Sequence, residues 1–197
     1  MIKKFNLTVL FILGIVLTPG LLTAASEVVI AYANISARVS PLWIAQEKGF
    51  FAKYGVNVQQ IYMRELFDID ALALELQQTC ITVTSKYVRE RRPVVKSFVQ
   101  AYAEGLHRFV NDRDFSIRVI QKYMRVNEKD LLDDAYDFYA PRVQKIPYPT
   151  LKGIKFILDS LAEAQPRARN VTPESFVDLS LLQELDQSGF FKQLWKN

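Results

Sequence analysis

Few residue types in this chain can converge on a reaction centre. There is one histidine, His107, and one cysteine, Cys80. A structural or catalytic metal site draws three or four His, Cys or carboxylate ligands from closely spaced positions. On a helix, the neighbours of His107 would be Ala103, Val110 and Asn111, none of them a second metal ligand. Asp133, Asp134 and Asp137 form a carboxylate cluster, which on a helix reads most simply as a solvated face. No G-x-S-x-G elbow, P-loop or dinucleotide fingerprint occurs. The chain is therefore expected not to be an enzyme and to hold neither metal nor cofactor. Binding chemistry is better supplied. The stretch NISARVS, residues 34–40, brings Asn34, Ser36, Arg38 and Ser40 together just before Trp43. Short polar side chains, one cation and an indole wall suit a small polar or anionic ligand. The plainer account is that Ser40 only caps a helix and Trp43 only fills the core.

Those residues have force only if the flanking elements aim them. Residues 27–33, EVVIAYA, read as a buried strand, β-branched and aromatic with no helical stripe. Ser40 and Pro41 suit a helix start, with serine as cap and proline at the first position, where its missing N–H had no partner. Leu42, Ile44 and Ala45 give that helix an apolar side. Gly49 sits where a left-handed residue would end it, and Gly55 releases VNVQQIY, a second strand. This order implies parallel strands joined by a helical crossover. Ligands in open α/β sheets bind at the carboxyl edge of such strands, and a helix starting there offers free N–H groups to an anion.

Beyond Arg64 the character changes. Residues 79–85, TCITVTS, are a third strand candidate, and the remainder reads as mainly helical. Pro93 opens a helix with Val95, Val99, Tyr102, Leu106 and Phe109 at three- and four-residue spacing. Further helices are expected over residues 115–124, from an Asn127 cap to Tyr139, and over residues 150–164, with helix starts at Thr172 and Asp178. Ser188 and Gly189 stop the last one, ahead of an aromatic tail of Phe190, Phe191 and Trp195. Tyr102, Phe109, Tyr136 and Phe138 are expected in the core. Arg89, Arg91 and Arg92 read as a solvated turn beside Pro93, or as ligands for a charged group.

The N-terminus reads as an export signal: Lys3 and Lys4, an apolar run of 11 residues from Leu7 to Leu17, then Pro19, Gly20 and small residues for cleavage near Ala24 and Ala25. That run is shorter than the about 20 residues a bilayer span needs; the alternative is an uncleaved N-terminal anchor. Loss of residues 1–25 would take the formal charge from +4 to +2, which weakens a nucleic-acid-binding reading. A lone cysteine allows no intrachain disulfide, and Cys80 is expected as a small buried apolar residue.

The stretch PLWIAQEKGFFAKYGVNV, residues 41–58, preceded by VVIAYA and a polar loop, resembles the N-terminal signature of periplasmic substrate-binding proteins of ABC transporters, in the nitrate/sulfonate/taurine and thiamine-precursor-like group. SKYVRERRPVVKSFVQAYAEGLHRF, KIPYPTLKGIKFILDSLAE and ESFVDLSLLQELDQSGFF are similar to the family's later segments. The resemblance implies a type 2 periplasmic binding fold, shortened at the junction of Arg64 and Glu65 either by an internal deletion or as a shortened paralogue. In that view residues 1–25 are the signal, residues 26–64 the first strand–helix–strand unit of lobe one, and residues 65–197 a strand plus helices from the family's C-terminal part. The fold class expected is α/β, a small, mostly parallel sheet with a largely helical C-terminal half. The function implied is capture of a small, anionic or sulfonate-like solute in the periplasm or outside the cell, for delivery to an ABC permease in the inner membrane. By position the ligand residues would be Asn34, Ser36, Ser40 and Trp43, with Arg38 adding charge. The opposite wall of the cleft would be missing, so binding should be weakened. The alternative is an exported remnant or helical interaction protein without a transport role, self-associating through its incomplete sheet. Thiamine-precursor enzymes use a cysteine-rich motif, which Cys80 alone cannot supply.

Overall fold

The computed structural model describes residues 25–32, 35–62 and 80–196. The signal-like segment up to residue 24, Asn34, Thr79 and the junction between Arg64 and Glu65 lie outside the described residues. Strand β1 (Ser26–Tyr32) pairs in parallel with β2 (Val56–Tyr62), in the register Ser26↔Val56 to Tyr32↔Tyr62. Between them run helices α1 (Ser40–Glu47) and α2 (Phe50–Lys53), the crossover that the glycine punctuation predicts. Gly49 has φ +67°, the left-handed conformation that ends α1 without a Cβ penalty. α1 is buried from Ser40 through Ala45 on every side, as expected of a helix with no polar stripe there.

The chain beyond β2 is helical: α3 (Ser85–Asn111), α4 (Arg113–Met124), α5 (Lys129–Tyr139), α6 (Leu151–Ala164), α7 (Ser180–Gln187) and α8 (Phe190–Leu194). The architecture is mixed α/β, mostly helical, with a two-stranded parallel sheet. α3 crosses α1 so closely that Gly105 lies against the backbone of Pro41. Leu42, Ala45, Phe51, Val56, Val58, Phe98 and Ala101 form the core beneath the sheet. Trp43, Ile44, Phe109, Ile120, Leu132 and Tyr136 form a second core between α1, α3, α4 and α5. The aromatic tail closes a third core, in which Phe191 packs with Val99, Ala103 and Leu185.

Several expectations need correction. β1 is half-buried rather than buried: its side chains alternate between cover and solvent, and Val29 is 61% exposed. Among the described residues nothing forms a layer over its outer face. Residues 80–84 form no strand; they have no ladder partner, and the Thr84 side chain instead caps α3, accepting from the Tyr87 N–H at 3.2 Å. Cys80 is an exposed free thiol, because the strand that would have buried it is not there. α3 begins at Ser85 rather than Pro93; Pro93 is accommodated by a break at Arg91 (φ −130°, ψ 32°), where the ring's clash and missing donor interrupt the helix. Arg92 is not a free turn residue, since it donates to Ser180 Oγ at 3.1 Å and to Glu184 at 3.3 Å. Glu128, not Asn127, holds the cap position of α5. Phe138 is 51% exposed, with the Arg142 guanidinium 4.0 Å above its ring, while Phe109 and Tyr136 do enter the core.

Candidate functional site at the carboxyl edge of the sheet

Both strands point their carboxyl ends at the segment that leads into α1, so sheet and helix start meet where the sequence places the polar loop. The loop is more ordered than its composition suggests. Residues Ala37–Val39 form a 3-10 turn that runs straight into α1, with the Val39 N–H donating to Ser36 O at 3.0 Å. Ser40 is therefore already helical (φ −51°, ψ −37°) and caps nothing. The expected serine cap fails because the turn ahead of it supplies the first hydrogen bond.

Ser40 and Trp43 are both 0% exposed. Among the described residues neither Ser40 Oγ nor Trp43 Nε1 has a hydrogen-bond partner, and the same holds for the buried atoms Ser36 Oγ and Gln60 Oε1. Each such group costs about 1–3 kcal/mol while unsatisfied, and buried polar groups are paired in the great majority of cases. Three of these groups are hydroxyl or N–H donors on the segment leading into α1 and on its first turn, and the fourth is an amide oxygen on β2. Gln60 is oriented by its own amide nitrogen, which donates to Leu42 O at 3.5 Å.

Aromatic rings build the rest of the edge. Tyr32 meets Trp43 edge-on at 6.3 Å and Tyr62 at 5.9 Å, and Trp43 stacks on Tyr123 at 4.8 Å with 9° between planes. Trp43 is thus sandwiched in the core rather than standing as an open pocket wall. Tyr123 in turn donates to Glu47 at 3.0 Å, and Lys122 donates to the same carboxylate at 2.5 Å. The Lys122 ammonium holds the Glu47 carboxyl below its ordinary range, while burial, with Glu47 second, pushes the Tyr123 hydroxyl up. Arg38 does not point alone into the edge. Its guanidinium lies 5.2 Å above the Tyr139 ring and reaches the Tyr139 hydroxyl at 3.5 Å. Asn34 lies outside the described residues.

Of the five sequence-proposed residues, the structure thus brings Ser36, Ser40 and Trp43 to the strand–helix junction and turns Arg38 toward α5. Sequence reasoning missed Gln60 and the tyrosines. The signal for Gln60 was present: it shares the inward phase of Val56 and Val58, which is unusual for an amide.

Elsewhere the groups singled out do structural work. Arg113 bridges Asp133 at 2.9 Å and Asp137 at 3.3 Å, and Lys129 joins Asp133 at 2.5 Å, so two of the three clustered carboxylates, Asp133 and Asp137, are charge-paired. Beside them Val110, Tyr136, Asp137, Ala140 and Pro141 line an open cavity of about 380 Å³. His107 meets Trp195 edge-on at 4.9 Å, and the Trp195 indole N–H donates to Lys145 O at 2.9 Å. No group of three or more His, Cys, Asp or Glu able to hold a metal occurs among the described residues. No helix among them is long and apolar enough to cross a membrane. No family model, curated protein or solved structure matches this chain.

Proposed function

We propose that this chain is the solute-binding component of an ABC importer, exported and reduced to one wall of a periplasmic-binding-protein-like cleft. Its ligand would be a small polar compound, anionic or sulfonate-like, and its macromolecular partner a permease of the inner membrane. The observation that carries this reading is the set of unsatisfied buried groups at the strand–helix junction: Ser36 Oγ, Ser40 Oγ, Trp43 Nε1 and Gln60 Oε1. Donors from a helix start and an acceptor from the neighbouring strand, walled by Tyr32 and Tyr62, can orient an oxyanion and its organic tail together. With a single wall, less than the about 70–90% of ligand surface enclosed in good sites would be covered, so affinity should be low.

A second reading is an exported helical interaction protein without a transport role. The complete burial of Ser40 and Trp43 favours it, since a ligand must displace packed rings to reach them. Calorimetric and thermal-shift titration with nitrate, taurine, alkyl sulfonates and pyrimidines separates the two. Solute binding predicts a saturable response to one class that is abolished in Ser36→Ala and Ser40→Ala. A flat response to every compound removes the importer reading and leaves the second.

A further inference from the structure

A parallel sheet of two strands is rarely self-sufficient, since parallel strands are normally covered on both faces and two-stranded units are marginal. The exposed remainder lies on one side. On the inner face, Val56 and Val58 of β2 are 1% and 6% exposed, whereas their register partners Ser26 and Val28, and Ile30 beyond them, are only half-buried. Each strand has the other as its sole strand neighbour among the described residues, but β2 is packed by α2 and α3, and its inner-face valines are the more fully covered.

The hydrogen-bond phase of that free edge follows from a single contact. Ser26 N–H donates to Gly55 O at 2.9 Å, and Ser26 is in register with Val56. In a parallel ladder, alternate residues turn both backbone groups to the neighbour. Ser26, Val28, Ile30 and Tyr32 therefore serve β2, and Glu27, Val29 and Ala31 turn their N–H and C=O groups outward along the edge.

We propose that this edge pairs with the same edge of a second copy, antiparallel about a two-fold axis through Val29, giving a continuous four-stranded sheet. Under that symmetry Val29 meets Val29 of the second copy, Glu27 meets its Ala31, and Val28 meets its Ile30. Every outward-turned residue faces another outward-turned residue, so both backbones are satisfied in phase and about six hydrogen bonds form. Side-chain faces also agree, because the pairing joins inner face to inner face. The half-buried Val28 and Ile30 are then covered by Ile30 and Val28 of the second copy. Charge fits as well. The strand's one charge, Glu27, faces alanine rather than its own copy, and the two carboxylates stand about 14 Å apart along the strands, beyond the roughly 8 Å screening length of physiological salt. Glu27 is moreover already held by the Asn57 amide at 2.9 Å. β1 carries no lysine or proline, the usual guards of an edge.

Sedimentation velocity and light scattering on the purified chain test this. Wild type should give twice the 22.7 kDa chain mass at micromolar concentration, or twice the mass of the chain after any signal cleavage. Val29→Lys places two ammonium groups at the axis, and Val29→Pro removes an edge N–H that β2 does not use; both should run as monomers with unchanged circular dichroism. Ile61→Lys, exposed on the same face but on β2, should stay dimeric. A wild type that is monomeric at all concentrations, an assembly larger than a dimer, or a dimer that persists in both Val29 variants overturns the proposal.

Discussion

Gly105 is the position where helix propensity and packing make opposite demands, and it sets how α1 is held against α3. An interior glycine costs a helix about 1 kcal/mol relative to alanine, so on propensity alone Gly105→Ala should stabilise. The crossing says otherwise. A Cβ at Gly105 would lie 2.1 Å from Pro41 O and 3.1 Å from Ala45 Cβ. Since carbon–oxygen contacts of this kind settle at about 3.3 Å or more, α1 and α3 would have to separate by roughly 1 Å. The separation falls on a tightly packed seam: Ala45, Ala101 and Ala103 are each 0% exposed. Overpacking a core costs about 1–3 kcal/mol, and here the obstacle is backbone, which places the cost at the upper end. Set against the propensity gain of about 1 kcal/mol, the net loss is about 2 kcal/mol. For a domain of this size that lowers Tm by about 4–8 °C. Thermal unfolding followed by circular dichroism reads it directly. The same displacement moves α1 and loosens the Trp43–Tyr123 stack, so the near-ultraviolet spectrum should change as well. Gly49→Ala is the control: nothing crowds its added methyl, its penalty of about 1–2 kcal/mol comes from φ +67° alone, and it should leave the aromatic spectrum intact. If Gly105→Ala unfolds at the wild-type temperature or above it, the close crossing is wrong, and with it the placement of Ser40 and Trp43.

Ser36→Ala and Ser40→Ala each remove a buried hydroxyl that has no partner among the described residues, so chemical denaturation without ligand should show stability unchanged or raised by about 1 kcal/mol; a loss larger than that would mean the hydroxyls are bonded. Glu47 is held below its ordinary value of 4.5 by Lys122, so its contribution is present above pH 4.5 and disappears as pH falls through the lowered value. Glu47→Gln should flatten that part of the acid-denaturation profile, and an unaltered acid limb would refute the pairing. Burial pushes the Tyr102 hydroxyl from 10 up to about 12. The folded state then holds the proton more tightly, its contribution is complete below pH 10, and stability falls as pH rises from 10 to 12. Tyr102→Phe should lose this decline, and a wild-type alkaline limb no steeper than that of Tyr102→Phe counts against it.

What could be read from sequence was whatever local chemistry decides. The β1–α1–α2–β2 unit is legible because apolar runs alternate with Gly49 and Gly55, whose positive φ no longer side chain adopts cheaply. The bodies of α3 and α6 follow from three- and four-residue apolar spacing, whereas the expected helix start at Thr172 is only a 3-10 turn (Pro173–Phe176) and the tail forms a helix, α8, that the sequence reading leaves out. What failed was whatever depends on a partner. Residues 80–84 have strand composition, yet β propensity expresses fit to a neighbouring strand, and no such neighbour occurs among the described residues. Phe138 has core spacing, but α5 turns that side to solvent and Arg142 covers the ring instead. Ser40 has the chemistry of a cap, but the turn Ala37–Val39 moves the helix start back and leaves its hydroxyl with nothing to do.

That last failure is the most informative. A serine that caps is explained by the helix, and a tryptophan that fills a core is explained by its neighbours. Here Ser40 does not cap, and the Trp43 ring is fully packed while its N–H meets no hydrogen-bond partner among the described residues. Gln60 sharpens the point, because an apolar residue in the inward phase of β2 would cost less than a buried amide with one end unmatched. An amide oxygen on β2 and hydroxyl and N–H groups at the start of α1 thus stay buried without partners among the described residues, at a cost to stability that packing alone does not require. Sequences carry such costs where a site does something beyond folding. The same logic applies to the outer edge of β1, where backbone groups without a strand partner among the described residues and half-covered valine and isoleucine lie side by side. In both places what the fold leaves unsatisfied is the ground of the proposals made above: a small polar solute at the carboxyl ends of the strands, and a second β1 along their side.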